Sequence, residues 1–395
     1  MKAGWQIKCL GDVTKVGAGN PAPQGAQLFK NGIYPFFRTS DAGRIRLGDI
    51  YESSDYLNED GIKGLRLFPA GTILFPKSGA STFLNHRVML GVDGYVSSHL
   101  ATIVADNAKI HERFLFYFLT TISAQDLVQD HAYPSLNLPI ISAIEVPLPP
   151  LPEQQRIASI LDEAFEGIAT AIANAEKNLA NAPELFESYL QSVFSNKGEG
   201  WEEKALKEVC ELKSGTTISP SLERSEGDVL YTKVGDMNLP ENMVEINTSS
   251  RFVNSNEIKM NQIIPEGAII FPKRGGAIAT NKKRRIVKPT IVDLNTMALI
   301  PSKKINKDYL FHWFQLFDLN SISNGANVPQ INNYSFDKVY IAYPTSLMAQ
   351  EIIVKKLDEL SAETKKLEAI YQQKLNALTE LKKSILNQAF SGQLQ

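Results

Sequence analysis

The stretch "KRGGAIATNKKRRIVK", residues 273–288, carries seven basic side chains and no acidic one. Lys273, Arg274, Lys282, Lys283, Arg284, Arg285 and Lys288 on a loop with paired glycines could approach phosphates. Arginine is also the side chain best suited to bidentate contact with guanine. A solvated hairpin would have the same composition. Earlier in the chain, "KSGASTFLNHR" (77–87) keeps Lys77, Gly79 and Asn85 in register with Lys273, Gly275 and Asn281 and changes almost everything between them. Ser78 and Arg87 belong to this second candidate tip. One stem with two different tips is how two copies of a reader would come to read different sequences. Arg38 in "FFRTSD" and Lys233 in "YTKVGD" fall at similar points of the two halves and extend the candidate set. His99 and Asn295 are also in register, and each could equally be a satisfied polar group beside a strand.

Signatures of catalysis are scarce. No G-x-G-x-x-G opens a helix, and no G-x-x-x-x-G-K-[ST] is present for a nucleoside triphosphate. None of the five histidines makes an H-x-E or H-E-x-x-H arrangement. Glu257-x-Lys259 with Asp236 upstream is a possible fragment of a metal-dependent nuclease site, but the first half lacks it. No catalytic residue and no metal ligand is assigned.

The elements that must position these tips are written twice. Sliding the chain on itself by about 196 residues lays "GWQIKCLGDV" (4–13) on "GWEEKALKEV" (200–209) and "LFPAGTILFPKSG" (67–79) on "IIPEGAIIFPKRG" (263–275). "QQRIASILDE" (154–163) falls on "QEIIVKKLDE" (350–359), and "QSVFS" (191–195) on "NQAFS" (387–391). Each half begins with alternating, β-branched runs such as "GTILFPK" and "DVLYTKV", punctuated by Gly and Pro. An aromatic stretch of helical character follows, at 111–129 and at 306–322. Each half closes on an elbow and a long helix, at about 152–195 and 347–390. Apolar residues recur with 4–3 spacing along both helices, from Ile157 and Leu161 to Tyr189 and Val193, and from Ile353 and Leu357 to Leu381 and Ile385. Each helix could pack only on its own domain. About 44 residues at 1.5 Å each span roughly 65 Å, however, which suits a spacer of two helices better. Pro183 should kink the first.

Connectivity sets direction. Only "NKGEG" (196–200) separates the first helix from Trp201, so the second must run back to pair with it. The expected fold is α+β: two repeated globular domains joined by two long antiparallel helices in a coiled-coil spacer with pseudo-twofold symmetry. The expected divisions are 1–146, 147–197, 198–342 and 343–395, and residues 1 and 395 are expected close together. The totals agree with a multi-domain folded protein: 395 residues, 43% hydrophobic, 21% charged, net charge −2. A nearly neutral chain can grip nucleic acid only locally. Two cysteines make no disulfide framework, and no apolar stretch is long enough for a membrane span, so a cytoplasmic location is expected.

The layout resembles the DNA-specificity subunit of type I restriction–modification enzymes. "PLPPLPEQQRIASILDE" and "LKKSILNQAFSGQL" (381–394) carry most of the likeness; the second elbow, "AYPTSLMAQE", keeps fewer prolines. Gly325 of "NGANVPQINN" has no counterpart in "HAYPSLNLPI" (131–140). The resemblance implies two target-recognition domains, each reading half of a split site in double-stranded DNA, and a helical spacer that docks two methyltransferase subunits. Pro149, Pro152, Gln154, Gln155, Leu161, Gln350 and Leu357 are the positions it assigns to docking. It further implies motor–nuclease partner subunits, with S-adenosylmethionine, ATP and Mg2+ bound by partners and no cofactor or catalytic residue on this chain. The alternatives are a coiled-coil adaptor whose end domains bind protein, and an autonomous nuclease.

Overall fold

A computed structural model describes residues 4–128, 135–325 and 327–394. Residues 131–134 of the stretch before the first elbow, and residues 1 and 395, lie outside the described set.

The repeat extends to the topology of every sheet. The spatial order of the first five-stranded sheet is Thr14–Ala18, Leu100–Ala105, Ile73–Pro76, Arg87–Leu90, Leu47–Ile50. The second sheet has the same order, Cys210–Ser214, Thr296–Pro301, Ile269–Pro272, Arg284–Ile286, Glu245–Ile246. Each half adds a three-stranded sheet centred on Tyr34–Phe37 or Val229–Thr232. Each also has a ribbon, Gln6–Cys9 with Glu145–Leu148 or Trp201–Ala205 with Tyr340–Pro344. Ile73–Pro76 and Ile269–Pro272 are central strands buried throughout, which is why "TILFP" and "AIIFP" are continuous apolar runs rather than alternating ones. The repeated glycine ahead of each is required. Gly71 and Gly267 sit at φ +83° and +84°, and a Cβ there would meet Glu112 Oε2 at 2.3 Å or Lys307 Cδ at 2.8 Å.

The aromatic stretches form helices α1 (Glu112–Thr120) and α3 (Lys307–Leu316). The long helices are α2 (Leu151–Ser195) and α4 (Leu347–Ser391). α1 is shorter than expected, but its residues Phe114 to Leu119 are all buried. Pro183 leaves α2 continuous; it is exposed, so water can serve the carbonyl that its missing N–H leaves free. The buried seam departs from strict 4–3 spacing near the end of α2, where Leu190 is 3% exposed and Tyr189 39%.

The chain forms two compact units that divide both long helices. One unit takes in the chain to Glu176 and again from Gln373; the other is Lys177–Gln372. In the first unit, Ile157 and Leu161 at the start of α2 share a core with Leu386 and Ala389 at the end of α4. The Phe390 ring lies 5.3 Å from Phe114 and 5.4 Å from Phe118. Arg156 Nη2 donates to the Leu394 carbonyl at 3.0 Å. In the second unit, the end of α2 and the start of α4 flank α3, with Phe194 5.2 Å from Tyr309 and His312 Nε2 2.8 Å from Asp358 Oδ1. Within each unit the two long helices are therefore antiparallel. Trp5 and Leu394 pack on one core.

Each elbow is closed by a buried glutamine. Gln154 Oε1 accepts from His111 N at 2.7 Å, while its Nε2 donates to the carbonyls of Pro149 at 2.8 Å and Lys109 at 3.2 Å. Gln350 does the same with Asn306 N (2.7 Å), Pro344 O (2.8 Å) and Lys304 O (3.2 Å). Both side chains are fully buried, as are Leu161 and Leu357, and Pro149 is buried too. These five positions hold the elbow to its own domain and offer no surface to a partner. Of the expected docking positions, only Pro152 and Gln155 are exposed. Replacing Gln154 or Gln350 with Ala strands one N–H and two carbonyls in the interior, at about 1–3 kcal/mol for each group left unpaired. Either variant should unfold at a clearly lower temperature than the wild type, as read by calorimetry, whereas Gln155→Ala should not.

Candidate nucleic-acid interface

The candidate tips emerge from the central strand at one end of each five-stranded sheet. In the second unit, Ile269–Pro272 runs into Lys273, whose N–H donates to Asn295 O at 2.8 Å and whose carbonyl accepts from Ile331 N at 2.9 Å. The first unit repeats this, with Lys77 N donating to His99 O at 3.1 Å and Leu136 N to Lys77 O at 2.8 Å. His99 and Asn295 therefore support the stems through their main chains. Lys273 Nζ donates to Ser214 Oγ at 3.0 Å. Partial burial, followed by the charge of Arg274, lowers the Lys273 pKa below the ordinary lysine value. Arg274 is exposed and, among the described residues, its guanidinium has no hydrogen-bond or ion-pair partner. An anion near this pair would relieve their mutual repulsion.

Each tip is anchored at both ends. Gly79 and Gly275 open it at φ +70° and +73°, and Asn85 and Asn281 close it in the left-handed region at φ +53° and +49°. The closing side chains tie to the next segment of chain: Asn85 Oδ1 accepts from Ala124 N at 2.7 Å and Asn281 Oδ1 from Leu319 N at 3.0 Å. These asparagines are anchors. Between the ends lie "ASTFL" and "GAIAT", and at the stem Ser78 stands where Arg274 stands in the other half.

The basic run after Asn281 does not form a charged surface. Lys283 is 2% exposed; its Nζ donates to the carbonyls of Phe317 and Gln315 above the Phe314 ring, and burial pushes its pKa down to about 8. Arg284 is 7% exposed and donates to Lys283 O at 2.9 Å and Met237 O at 3.2 Å. Arg285 bridges Glu245 at 2.7 Å and Asp308 at 2.6 Å. Lys282 Nζ donates to Asn238 Oδ1, and Lys288 Nζ to Asn247 O at 2.7 Å. In the first unit Arg87 is 1% exposed. It donates to His86 O at 2.8 Å and Ile122 O at 3.1 Å, with its guanidinium carbon 3.3 Å from the Phe75 ring centre. Burial pushes its pKa down to about 9. The strand Arg87–Leu90 is buried on both faces, and the neighbours Lys283 and Arg284 are both interior, so main-chain carbonyls rather than solvent satisfy these cations.

Arg38 and Lys233 are engaged as well. Each begins a short helical turn capped by a buried aspartate: Arg38 N donates to Asp41 and Lys233 N to Asp236, both at 2.8 Å. Ser54 and Ser250 complete the caps through N–H and Oγ. Arg38 pairs with Asp55, and Lys233 with Glu223 at 3.1 Å. Asp236 is thus a cap, while Glu257 pairs with Arg224 at 2.5 Å, so the nuclease fragment is not assembled. Among the described residues, no group of three potential metal ligands occurs.

The units differ where the globular part meets the long helices. In the first, Arg113 on α1 joins Asp49 (2.5 Å) to Asp162 of α2 (2.8 Å). In the second, the corresponding link is His312 of α3 to Asp358 of α4. Burial outweighs Asp358 and holds the His312 pKa below its ordinary value. The sequence reading missed this link, though Asp162 and Asp358 are in register.

Known proteins resemble this chain along its length. A family profile described as "Type I restriction modification DNA specificity domain" matches residues 2–181 and 198–379. The MjaIX specificity subunit of Methanocaldococcus jannaschii is 32% identical over 171 residues, 42% of this chain and 38% of that one. The MjaVIII specificity subunit of the same organism is 24% identical over 99% of this chain and 93% of its own. Among solved structures, the HsdS subunit from Thermoanaerobacter tengcongensis aligns over 100% of this chain and 98% of its own, with TM-score 0.69 and 19% identity. A chain solved in work on complex assembly and conformational transition of the type I R-M system reaches TM-score 0.77 at 20% identity, covering 100% and 99% of the two chains.

Removing Lys283 should lower stability by about 1–3 kcal/mol, because the carbonyls it serves stay buried. Arg274→Ala should leave thermal unfolding unchanged; equal melting of wild type and Lys283→Ala would contradict the burial argument. The His312 link makes stability depend on pH. Because the folded pKa lies below 6.5, its contribution is present above 6.5 and is lost as pH falls from there through the folded value. Between pH 7.5 and pH 5 the wild type should lose more stability than His312→Gln, as measured by chemical denaturation at each pH.

Proposed function

The chain belongs to the type I restriction–modification DNA-specificity family, and from that premise we propose that each globular part reads one half of a split duplex site from the tip-bearing end of its sheet. The chain is a recognition subunit rather than a catalytic one, and its partners are DNA and the restriction–modification complex. The observation that carries the proposal is the same stem built twice with different chemistry at its end, neutral at Ser78 and cationic and unpaired at Arg274.

On this reading Arg274 approaches a base edge, Lys273 and Lys77 approach phosphate, and the buried cations Arg87, Lys283 and Arg284 support the tips from beneath. Two methyltransferase subunits dock on the elbows and long helices, where Pro152 and Gln155 are exposed, and motor–nuclease subunits join the complex through them. S-adenosylmethionine, ATP and Mg2+ belong to those partners, and the assembly works in the cytoplasm.

Exchanging residues 1–146 for the matching part of a relative should change one half of the methylated site and leave the other intact. Arg274→Ala should relax choice at one position of the other half, at a cost of about 1–3 kcal/mol. Methylation mapping of DNA from cells carrying each variant reads both outcomes. A swap that alters both halves would refute independent reading.

A further inference from the structure

The first unit has a cleft of about 880 Å3 between the end of its sheet and the last turns of α4. Arg46, His86, Lys382 and Lys383 line it with Leu47 and Leu84, and no carboxylate does. Lys383 is paired with Glu380 at 2.7 Å. Among the described residues, the side chains of Arg46, His86 and Lys382 have no hydrogen-bond acceptor and no ion-pair partner. Lys382 instead lies over the Phe165 ring, 4.8 Å from its centre, which leaves its charge uncompensated. Arg46 is held at φ +66°, a conformation costly for a residue with a side chain. Burial lowers the pKa of Lys382, and burial together with Arg46 and Arg87 lowers that of His86. Two unpaired cations, Arg46 and Lys382, face one opening beside the His86 ring and repel each other until an anion sits between them.

A cleft in the second unit offers a comparison within the molecule. It holds about 400 Å3 and is lined by Lys283, Arg284 and Arg285, each met by carbonyls or carboxylates, by Lys365, which has no partner among the described residues, and by Asp358. Phe186 occupies the register position of Lys382, 196 residues earlier. Asn242 and Lys282 stand at the register positions of Arg46 and His86, and Lys282 donates to Asn238, so the unpaired set around the first cleft is not repeated at the same positions of the second half.

Its position suggests the ligand. Leu100 pairs with Pro76, Arg87 N donates to Arg46 O at 2.9 Å, and Leu47 pairs with Arg87. His99, Lys77, His86 and Arg46 thus follow one another along a single end of the sheet, the one that carries the tip, and Lys382 extends the row onto α4. We propose that this cleft holds a backbone phosphate of the bound duplex, so that the spacer helix itself grips DNA next to the first recognition domain. The inference rests on the DNA-reading function above.

The test uses the full chain and duplexes of target and unrelated sequence. Arg46→Gln and Lys382→Met, which keeps the packing on Phe165, should weaken both duplexes by the same factor. Each should also flatten the dependence of log K on log salt by about one unit. Site choice and melting temperature should not move, and Lys365→Gln at the second cleft should change nothing. Unchanged affinity and slope in both variants would overturn the proposal. So would loss of assembly with the methyltransferase at an unchanged slope, which would make the cleft a protein contact. Perturbation of His86 resonances by inorganic phosphate but not by duplex would make it a small-anion site and overturn it too. If Arg274→Ala still relaxes site choice while these variants are silent, only this inference fails; if Arg274→Ala is silent as well, the DNA-reading function fails.

Discussion

The long helices are useful only if they leave each globular part at a fixed angle, and one buried side chain per elbow fixes it. Gln154 and Gln350 each offer one acceptor and two donors, and each meets one N–H and two carbonyls from segments about 5 and 45 residues away. Segments that far apart in sequence are held in register by three bonds that have no competing solvent. The first turn of α2 or α4 therefore starts where α1 or α3 and the ribbon place it. Below that turn Leu161 and Leu357 are fully buried, and the rest of each helix follows.

On this shared frame the halves have diverged chiefly in electrostatics. The first unit ties globular part to helix with the Arg113 guanidinium on Asp162; the second uses His312 and Asp358, with a ring whose pKa burial holds below its ordinary value. Lys283, Arg284 and Arg285 at the second cleft are met by acceptors, whereas Arg46 and Lys382 at the first stand open. Duplication preserved geometry because geometry rests on main-chain bonds and packed apolar strands. Charge was free to change wherever it lay outside that frame.

Much of this was legible in the sequence. The offset repeat gave the order of elements, and heptad spacing placed both long helices to within a residue of their observed ends. The antiparallel pairing followed from one five-residue link. Charge was read less well. "KKRR" looks like a surface patch, yet Lys283 and Arg284 are interior, because the chain there is covered on both faces and nearby carbonyls accept from both side chains, and neither is visible in composition. The elbow glutamines looked like docking residues for the converse reason: polar side chains that recur in a repeat can serve the fold as well as a partner. Arg46 and Lys382, more than 300 residues apart, share a cleft only after folding. Pro183 stayed within an unbroken helix because its exposed face leaves the orphaned carbonyl to water.

The glycine–asparagine brackets at the tips have a consequence for inheritance. Each bracket encloses five residues, begins with a left-handed glycine and ends with a left-handed asparagine whose side chain binds a main-chain N–H. None of these anchoring features depends on what the five residues are. Point mutations at the exposed positions inside the bracket can therefore accumulate at constant length without disturbing the stem, while buried Thr82 and Ile278 belong to the packing beneath it. A lineage under pressure to change what it recognises could alter this short insert one codon at a time, keeping a folded protein at every intermediate step.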